Sequence, residues 1–302
     1  MEKVRRPFVS VIIPVYNDNQ RLTLCLDALD RQTYHRDAYE IIVVDNNSEE
    51  NVASVVEKFD RVKLVYEPCP GSYIARNRGL ELAQGEVIAF TDSDCIPQSQ
   101  WIEKGVERLL SMTNCGLVAG RIDLFFKNPN APTPVEIFES VELNFNQDQK
   151  LENDRYGMTA NVFTFRRVLD DVGFFDGRLK SGGDRHWGEK VYEAGYEQIY
   201  DDEALVLHPA RHSFADLRKR IARLTGGEFD RMMQQKPSAQ AIALDLAGTF
   251  KPPFRSLYRA WQNKTVEGVD RKLALILVMF FARYVATSEK LWLYLGGSSN
   301  RG

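Results

Sequence analysis

The 302-residue chain has only four cysteines, Cys25, Cys69, Cys95 and Cys115, and no two of them form a CxxC pair. Such wide spacing predicts reduced core thiols in a reducing compartment, without a disulfide framework or a zinc site. No GxxxxGK[ST] loop occurs and no GxGxxG follows the first strand, which excludes the phosphate-binding loop and the dinucleotide fingerprint. Long uncharged apolar runs are missing too. The longest apolar stretch, residues 273–295, is broken by Arg283, Glu289 and Lys290, whereas a spanning helix wants about 20 mostly uncharged residues. Residues 1–7 lead into a strand too short for the apolar core of a typical signal peptide and its cleavage site, so secretion is not expected. There is neither an internal repeat nor a low-complexity tract. What remains is a chain long enough for one large domain or two ordinary ones, with a core that needs no staples.

Charge of one sign is also scarce overall, the formal net charge being only -3. That small number hides an asymmetry: from Leu205 onward there are 16 Lys/Arg against 7 Asp/Glu, leaving 23 against 35 before it. An acidic front and a basic tail point to different tasks.

Residues 8–15 are rich in β-branched side chains and stop at Tyr16-Asn17-Asp18-Asn19, a turn cluster that can also cap the next helix. Leu22, Cys25, Leu26 and Leu29 then recur at helical spacing, and residues 40–45 form a second apolar run. The strand and helix alternation continues with strands at 62–66, 87–91 and 117–122 and helices at 73–83 and 101–112. Strands that are apolar on both faces and alternate with helices predict an α/β fold, a parallel sheet covered on both sides. After Asn128 the pattern changes. Pro129, Pro132 and Pro134 precede a helix at 135–145, then come a strand at 157–165, a short helix at 166–172, a turn at 173–177, a helix from Asp184 to Ala194 and a short strand at 204–207. From Ser213 the rest reads as helical, split near Pro237 and Pro252-Pro253.

In a sheet of this kind the ligand crevice lies beyond the carboxyl ends of the strands. Tyr16, Asn17 and Asp18 end the first strand, Asp45 ends another, and Asp92-Ser93-Asp94 follows a third. Alternate residues of an extended segment point to opposite sides, so Asp92 and Asp94 share a target only if the chain turns there, as Cys95-Ile96-Pro97 suggests. Hard oxygen ligands suit Mg²⁺ or Mn²⁺, with a diphosphate completing the shell. Lacking a phosphate loop, the chain must manage phosphates through such a metal.

Four linked motifs, Pro14-Val15-Tyr16-Asn17-Asp18, Val43-Val44-Asp45-Asn46-Asn47-Ser48, Ala75-Arg76-Asn77-Arg78-Gly79 and Thr91-Asp92-Ser93-Asp94, resemble in order and spacing the family 2 glycosyltransferases of the GT-A fold. The likeness extends through Gly120-Arg121, Gly173-Phe174-Phe175-Asp176 and Gly182-Gly183-Asp184, covering residues 8–212. It implies a Rossmann-like, mostly parallel central sheet flanked by helices with a helical C-terminal extension. The implied domains are a catalytic one over 1–212, divided into a nucleotide-binding half (1–125) and an acceptor-binding half (126–212), and a helical region over 213–302. It also implies metal-dependent inverting transfer from a nucleotide-diphosphate sugar, UDP-linked, to a saccharide or lipid-linked saccharide, with no nucleic-acid partner.

The resemblance also implies residue roles. Pro14, Val15, Tyr16, Asn17 and Asp45 hold the nucleotide base, and Arg76 lies near the base or the phosphates. Asp92 contacts the ribose, with Ser93 beside it, and Asp94 binds the metal. Similar enzymes take a further metal ligand from a C-terminal histidine, for which His208, before Pro209, is better placed than His212. Other assignments remain open: Tyr16 as a packed aromatic, Asp45 as a helix cap, Arg76 as a surface residue and His208 as a structural histidine.

Asp184 is the candidate general base. Two preceding glycines let the backbone approach a bound sugar, and a carboxylate there can take the acceptor proton during in-line attack. Similar enzymes usually carry Glu-Asp where this chain has Gly183-Asp184, which leaves Glu189 as the fallback base. Asp184 could also serve as a helix cap. Trp187 is a candidate for stacking on an acceptor sugar, with Arg121 and Glu189 nearby, although a helical Trp also fits a core. Arg211 and Arg218-Lys219-Arg220 suit a diphosphate, an anionic lipid or simply a solvated helix face. Residues 273–283, apolar on all sides and followed by Trp292 and Tyr294, suit either a membrane surface or packing on the catalytic domain. The expected location is cytoplasmic, at the cytoplasmic face of a membrane if that helix docks there. The rival functions are a sugar-nucleotide pyrophosphorylase, which wants a Gly-rich loop where Tyr16-Asn17-Asp18 stands, a two-carboxylate hydrolase, and a sugar-nucleotide-binding or scaffolding protein.

Overall fold

The computed structural model describes residues 6–142, 145–250, 254–263 and 266–299. The expected break at Pro252-Pro253, the end of the helix expected to reach residue 145, and residues 1–5 therefore lie outside the described residues in whole or part. The chain divides into two compact units. The first comprises Met1–Leu124, Phe145–Arg178 and Gly183–His208, and the second Phe125–Asn144, Leu179–Gly182 and Pro209–Gly302.

The first unit opens with strand β1 (Val9–Val15), helix α1 (Asn19–Asp30), β2 (Tyr39–Asp45), the one-turn α2 (Ala53–Val56), β3 (Val62–Tyr66), α3 (Ser72–Leu82) and β4 (Val87–Thr91). Every residue of β4 and nearly all of β1 is buried, as strands covered on both faces must be. Leu22, Cys25, Leu26 and Leu29 form the buried face of α1. Helix α3 lies close over β1 because Gly79 has no side chain; a Cβ there would meet Ile12 at 2.6 Å.

The chain continues through β5 (Ile96–Pro97), α4 (Trp101–Leu110), β6 (Cys115–Phe125), α5 (Pro134–Glu142), α6 (Gln147–Asp154), β7 (Asn161–Phe165), α7 (Arg166–Val172), α8 (Gly183–Glu193) and β8 (Glu197–Pro209). Together the strands make one eight-stranded sheet in the order β3-β2-β1-β4-β7-β6-β8-β5. β3, β2, β1 and β4 are parallel, and β7 enters antiparallel between β4 and β6. Because β6 is antiparallel to β7, it again runs with the first four, so the sheet is mostly parallel. The intrusion of β7 is not visible in the strand and helix alternation, which carries no information about pairing between distant segments.

Two further readings need correction. The strand expected at 204–207 is a 13-residue strand, and Cys69 is exposed rather than a core thiol, unlike buried Cys25, Cys95 and Cys115. Cys69 sits in the loop before α3, where its backbone N–H donates to Glu67 at 2.8 Å.

A buried Asn161 ties the middle of the sheet together. Its amide nitrogen donates to the carbonyls of Arg121 (2.8 Å) and Ala204 (2.7 Å), and its oxygen accepts from the Trp101 indole at 2.8 Å. Both of its donors and its oxygen are engaged, as burial demands.

The second unit is helical, with α9 (Phe214–Gln234), α10 (Ala239–Thr249), α11 (Phe254–Gln262) and α12 (Val269–Tyr294) joining α5. Thr133 and Glu136 start α5 as a reciprocal capping pair: the Thr133 N–H donates to Glu136 at 2.7 Å and the Glu136 N–H donates to the Thr133 hydroxyl at 3.2 Å. Leu275, Val278, Met279 and Val285 of α12 share a core with Val135 and Phe138 of α5 and Leu217 and Ile221 of α9. Fully buried Glu139 accepts from the Arg211 N–H at 2.9 Å and from the guanidiniums of Arg211 (3.4 Å) and Arg220 (2.9 Å). Burial first, and then neighbouring Arg211, pulls Arg220 down to about 10. Two arginines considered for a ligand are thus engaged within the fold, while Arg218 and Lys219 are exposed.

Two of the three charges that interrupt the apolar run of α12, Arg283 and Lys290, are used to hold α10. Lys290 bonds Asp245 at 2.6 Å, the Tyr294 hydroxyl donates to Asp245 at 2.8 Å, and Arg283 donates to the Gly248 carbonyl at 2.6 Å. Burial opposes the charge of Asp245, but the Lys290 and Tyr294 bonds win and hold its carboxyl below the ordinary range. A depressed carboxyl contributes stability that is present above its unfolded pKa and lost as pH falls through its folded one. Asp245→Asn is therefore expected to cost about 1–2 kcal/mol at neutral pH. In urea titrations this deficit should shrink below about pH 4, where the unfolded carboxyl protonates; a deficit independent of pH would show that Asp245 acts by packing alone.

Candidate active site

The carboxyl ends of β1, β2 and β4 lie along one edge of the sheet. The register pairs Val15 with Asp45 and Ile12 with Phe90, so Tyr16, Asp45 and Asp92 leave their strands side by side. Pro14 is half-buried and Val15 buried at the end of β1, while Tyr16 is 58% exposed. Tyr16 is thus no packed core aromatic. Asn17 adopts a left-handed φ of 48°. Its N–H donates to the Ser48 hydroxyl at 3.0 Å and its side-chain oxygen accepts from the Glu49 N–H at 2.7 Å. Asp45 accepts from the Ser48 N–H three residues on, at 2.9 Å, and so braces the loop after β2; the next helix begins only at Ala53, so Asp45 is not its cap. Asn46, a residue with no role legible in the sequence, is buried and braces the next loop: it donates to the carbonyls of Glu67 (3.0 Å) and Cys69 (2.7 Å) and accepts from the Gly71 N–H at 2.7 Å.

Helix α3 reaches the same edge from the side. Arg76 is not a surface residue; it is only 4% exposed and pairs with the half-buried Asp92. Its Nε is buried without a hydrogen-bond partner. One turn earlier, on the same helix face, the Tyr73 ring lies 5.8 Å from the Arg76 guanidinium, and the Tyr73 hydroxyl donates to Asp184 at 3.4 Å. Burial, and then the Asp184 charge, pushes the Tyr73 phenol up, so it stays protonated as a donor. Tyr73 therefore couples two acids that stand far apart in the chain. A signal for it did exist, an aromatic three residues before Arg76, but it was legible only with Asp184 already in place.

Asp184 lies in the first turn of α8, half-buried, and also accepts from the Arg185 N–H at 2.9 Å. Gly182 has a φ of 74°, and Gly183 is where the Tyr73 ring packs: a Cβ there would meet that ring at 2.7 Å. Gly183→Ala is accordingly expected to cost about 1–3 kcal/mol, read as a lower urea midpoint, because Tyr73 is too buried to yield. An unchanged midpoint would mean that the ring can move aside.

The remaining acceptor-side candidates divide. Trp187 is 2% exposed, its ring 5.5 Å from Phe175 and its indole N–H donating to the Gly173 carbonyl at 3.1 Å. It is a core residue, and its face is not open to a sugar. Glu189 accepts from Arg185 at 3.2 Å, and exposed Arg121 is paired with Asp123 at 2.7 Å.

Asp94, beyond the turn, has partners different from those of Asp92. β5 pairs antiparallel with β8 through Ile96 and Leu207, so one residue further along that ladder His208 comes beside Cys95. His208 Nε2 lies 3.7 Å from the Asp94 carboxylate, and its ring packs on Phe145 at 4.7 Å. Donor atoms of Asp94, Cys95 and His208 lie within 4.8 Å of one another. Exposed His212 is not among them. Arg21 adds a cation, 2.8 Å from Asp18 and 3.7 Å from Asp94. Burial pushes the Asp18 carboxyl up against the pull of Arg21, and the Asp94 charge adds to the rise. Burial likewise pushes the Cys95 thiol well up, with Asp94 contributing. Asp94 and His208 offer a hard carboxylate oxygen and a borderline imidazole nitrogen, a mixed set that suits Mn²⁺ better than Mg²⁺.

Among solved structures the fold is similar to that of the mannosyltransferase PcManGT from Pyrobaculum calidifontis, determined in complex with GDP-Man and Mn²⁺. The TM-score is 0.63 at 20% identity, over 96% of this chain and 88% of that one. The fold class is thus that of the GT-A glycosyltransferases. Residues 10–174 match the family described as glycosyl transferase family 2. The glycosyltransferase AglE of Haloferax volcanii is 36% identical over 257 residues, 82% of this chain and 83% of that protein. The pre-mycofactocin glycosyltransferase of Mycobacterium tuberculosis is 27% identical over 293 residues, 93% of this chain and 58% of that protein. The chain belongs to glycosyl transferase family 2 and is a glycosyltransferase.

Proposed function

We propose that this enzyme transfers a sugar, with inversion at C1, from a nucleotide-diphosphate donor, UDP-linked, to a hydroxyl of a saccharide or lipid-linked saccharide. The observation that carries this reading is the bridge made by α3, whose Arg76 holds Asp92 at the strand edge and whose Tyr73 holds Asp184. One helix thereby sets a donor-side acid and a candidate base in a common frame. Pro14, Val15, Tyr16, Asn17 and Asp45 receive the base, Asp92 with Ser93 the ribose, and Asp94 with His208 the metal. Bound there, Mn²⁺ or Mg²⁺ would offset the negative charge that develops on the leaving diphosphate. Asp184 accepts the proton of the acceptor hydroxyl as that oxygen bonds to C1 and the nucleoside diphosphate departs with the electron pair of the broken bond. Glu189 is the alternative base, and Arg121 borders the acceptor side. We place the enzyme at the cytoplasmic face of a membrane, where lipid-linked acceptors present their sugars.

A panel of UDP-, GDP- and other nucleotide sugars, assayed for released nucleoside diphosphate with Mn²⁺ and saccharide acceptors, tests the donor. Release from UDP-sugars is expected; release confined to GDP-sugars would overturn the UDP assignment. Metal-dependent binding with no release from any donor would leave a sugar-nucleotide-binding protein instead.

A further inference from the structure

Helix α12 is apolar on both of its sides, and only one side is used by the fold. Leu275, Val278, Met279, Val285 and Leu293 are buried. On the opposite side Leu273, Leu277, Phe280, Tyr284, Leu291 and Leu295 are exposed, Leu277 at 68%, Tyr284 at 71% and Leu295 at 84%. Their spacing of three, four or seven residues places them on one stripe along the whole helix, interrupted only by Ser288. Trp292 flanks the stripe, and α11 exposes Phe254, Tyr258 and Trp261 at the same helical spacing. A water-soluble surface does not leave a stripe of this length bare without a partner.

We infer that this stripe docks in the plane of an anionic lipid surface. Three observations select a bilayer over a second copy of the chain. The stripe lies in the basic part of the sequence, with 16 Lys/Arg against 7 Asp/Glu from Leu205 onward; that excess attracts anionic headgroups and repels an identical unit. The exposed aromatics include Trp and Tyr, whose amphipathic rings favour the headgroup level. No helix among the described residues is long and apolar enough to cross a membrane, so the docking is lateral. The inference takes up the membrane placement proposed above and rests on that placement alone, not on the donor or the base.

The test is sedimentation of the full chain with vesicles of phosphatidylcholine, alone or mixed with phosphatidylglycerol, without donor or metal. Binding to the mixed vesicles, weakened by salt and by omission of phosphatidylglycerol, is expected. Leu277→Glu with Tyr284→Glu should weaken it about 100-fold, the loss expected for two buried apolar side chains, with an unchanged circular dichroism spectrum. Should that pair misfold, Arg271→Glu at the exposed start of α12 provides a milder variant with the same direction of effect. Vesicles should also shift the tryptophan emission to the blue, a shift reduced in Trp292→Phe and lost when Trp261→Phe is added. Absence of sedimentation with either vesicle, or binding that survives the glutamate pair, would overturn the proposal. So would a dimer in light scattering that the pair dissociates while vesicles bind neither form. Because transfer is not assayed, failure here leaves the reading of the active site standing, and failure of the donor assay leaves this one.

Discussion

Asp184→Asn is expected to lower the turnover number about 1,000-fold or more, within the range ascribed to a positioned general base, while nucleotide affinity changes little. The substitution suits the question because asparagine keeps an oxygen where Asp184 accepts from the Arg185 N–H and from the Tyr73 hydroxyl. The start of α8 is therefore preserved and only the capacity to take a proton is lost. Full turnover in Asp184→Asn would refute the assignment and direct attention to Glu189, whose carboxylate is held by Arg185. Tyr73→Phe supplies a graded control. It removes the hydroxyl but leaves the ring that packs beneath Gly183, so turnover should fall by less than in Asp184→Asn and stability should fall little.

The second large effect separates the two acids of the Asp92-Ser93-Asp94 segment. Asp94→Asn is expected to weaken metal-dependent nucleotide binding by at least about 100-fold, the upper end of the loss for a group that merely orients a ligand, measured by calorimetry with and without Mn²⁺, with a small change in stability because Arg21 keeps Asp18 as a partner. Asp92→Asn should behave differently. It leaves the buried Arg76 cation without its carboxylate, and breaking a buried pair on one side costs several kcal/mol. Since Asp92 is itself partly open to solvent, about 2–3 kcal/mol is the expected loss. Equal effects of the two substitutions on both binding and melting would refute the division of labour between them.

Much of the candidate site is legible in the sequence because strands buried on both faces announce themselves as continuous apolar runs, and the polar residues that end them must stand at the sheet edge. Tyr16, Asn17, Asp45, Asp92 and Asp94 are the polar residues that end such runs, and the structure places them at or just beyond the ends of β1, β2 and β4. Asp184 was reached through two glycines and a helix start, and the helix begins at Gly183. Other residues were hidden for specific reasons. Asn46 and Asn161 act through buried amide networks that depend on which loops and strands converge on them. By sequence Trp187 suits a core or a sugar platform equally, and the ring of Phe175 with the Gly173 carbonyl decides for the core. Arg76 has the composition of a surface residue on a helix, yet Asp92 draws it inward.

The local sequence determined the strands and helices of the first unit, the edge at which its acids gather and the basic bias of the tail, because side-chain periodicity and composition act within a single element. Only the tertiary structure decided that β7 enters antiparallel, that a long β8 brings His208 beside Asp94, that Tyr73 joins Asp184 to Arg76, and which side of α12 is used by the core. Each of these is a contact between segments distant in the chain, and it is set by how whole elements pack, a quantity that no single stretch of residues encodes.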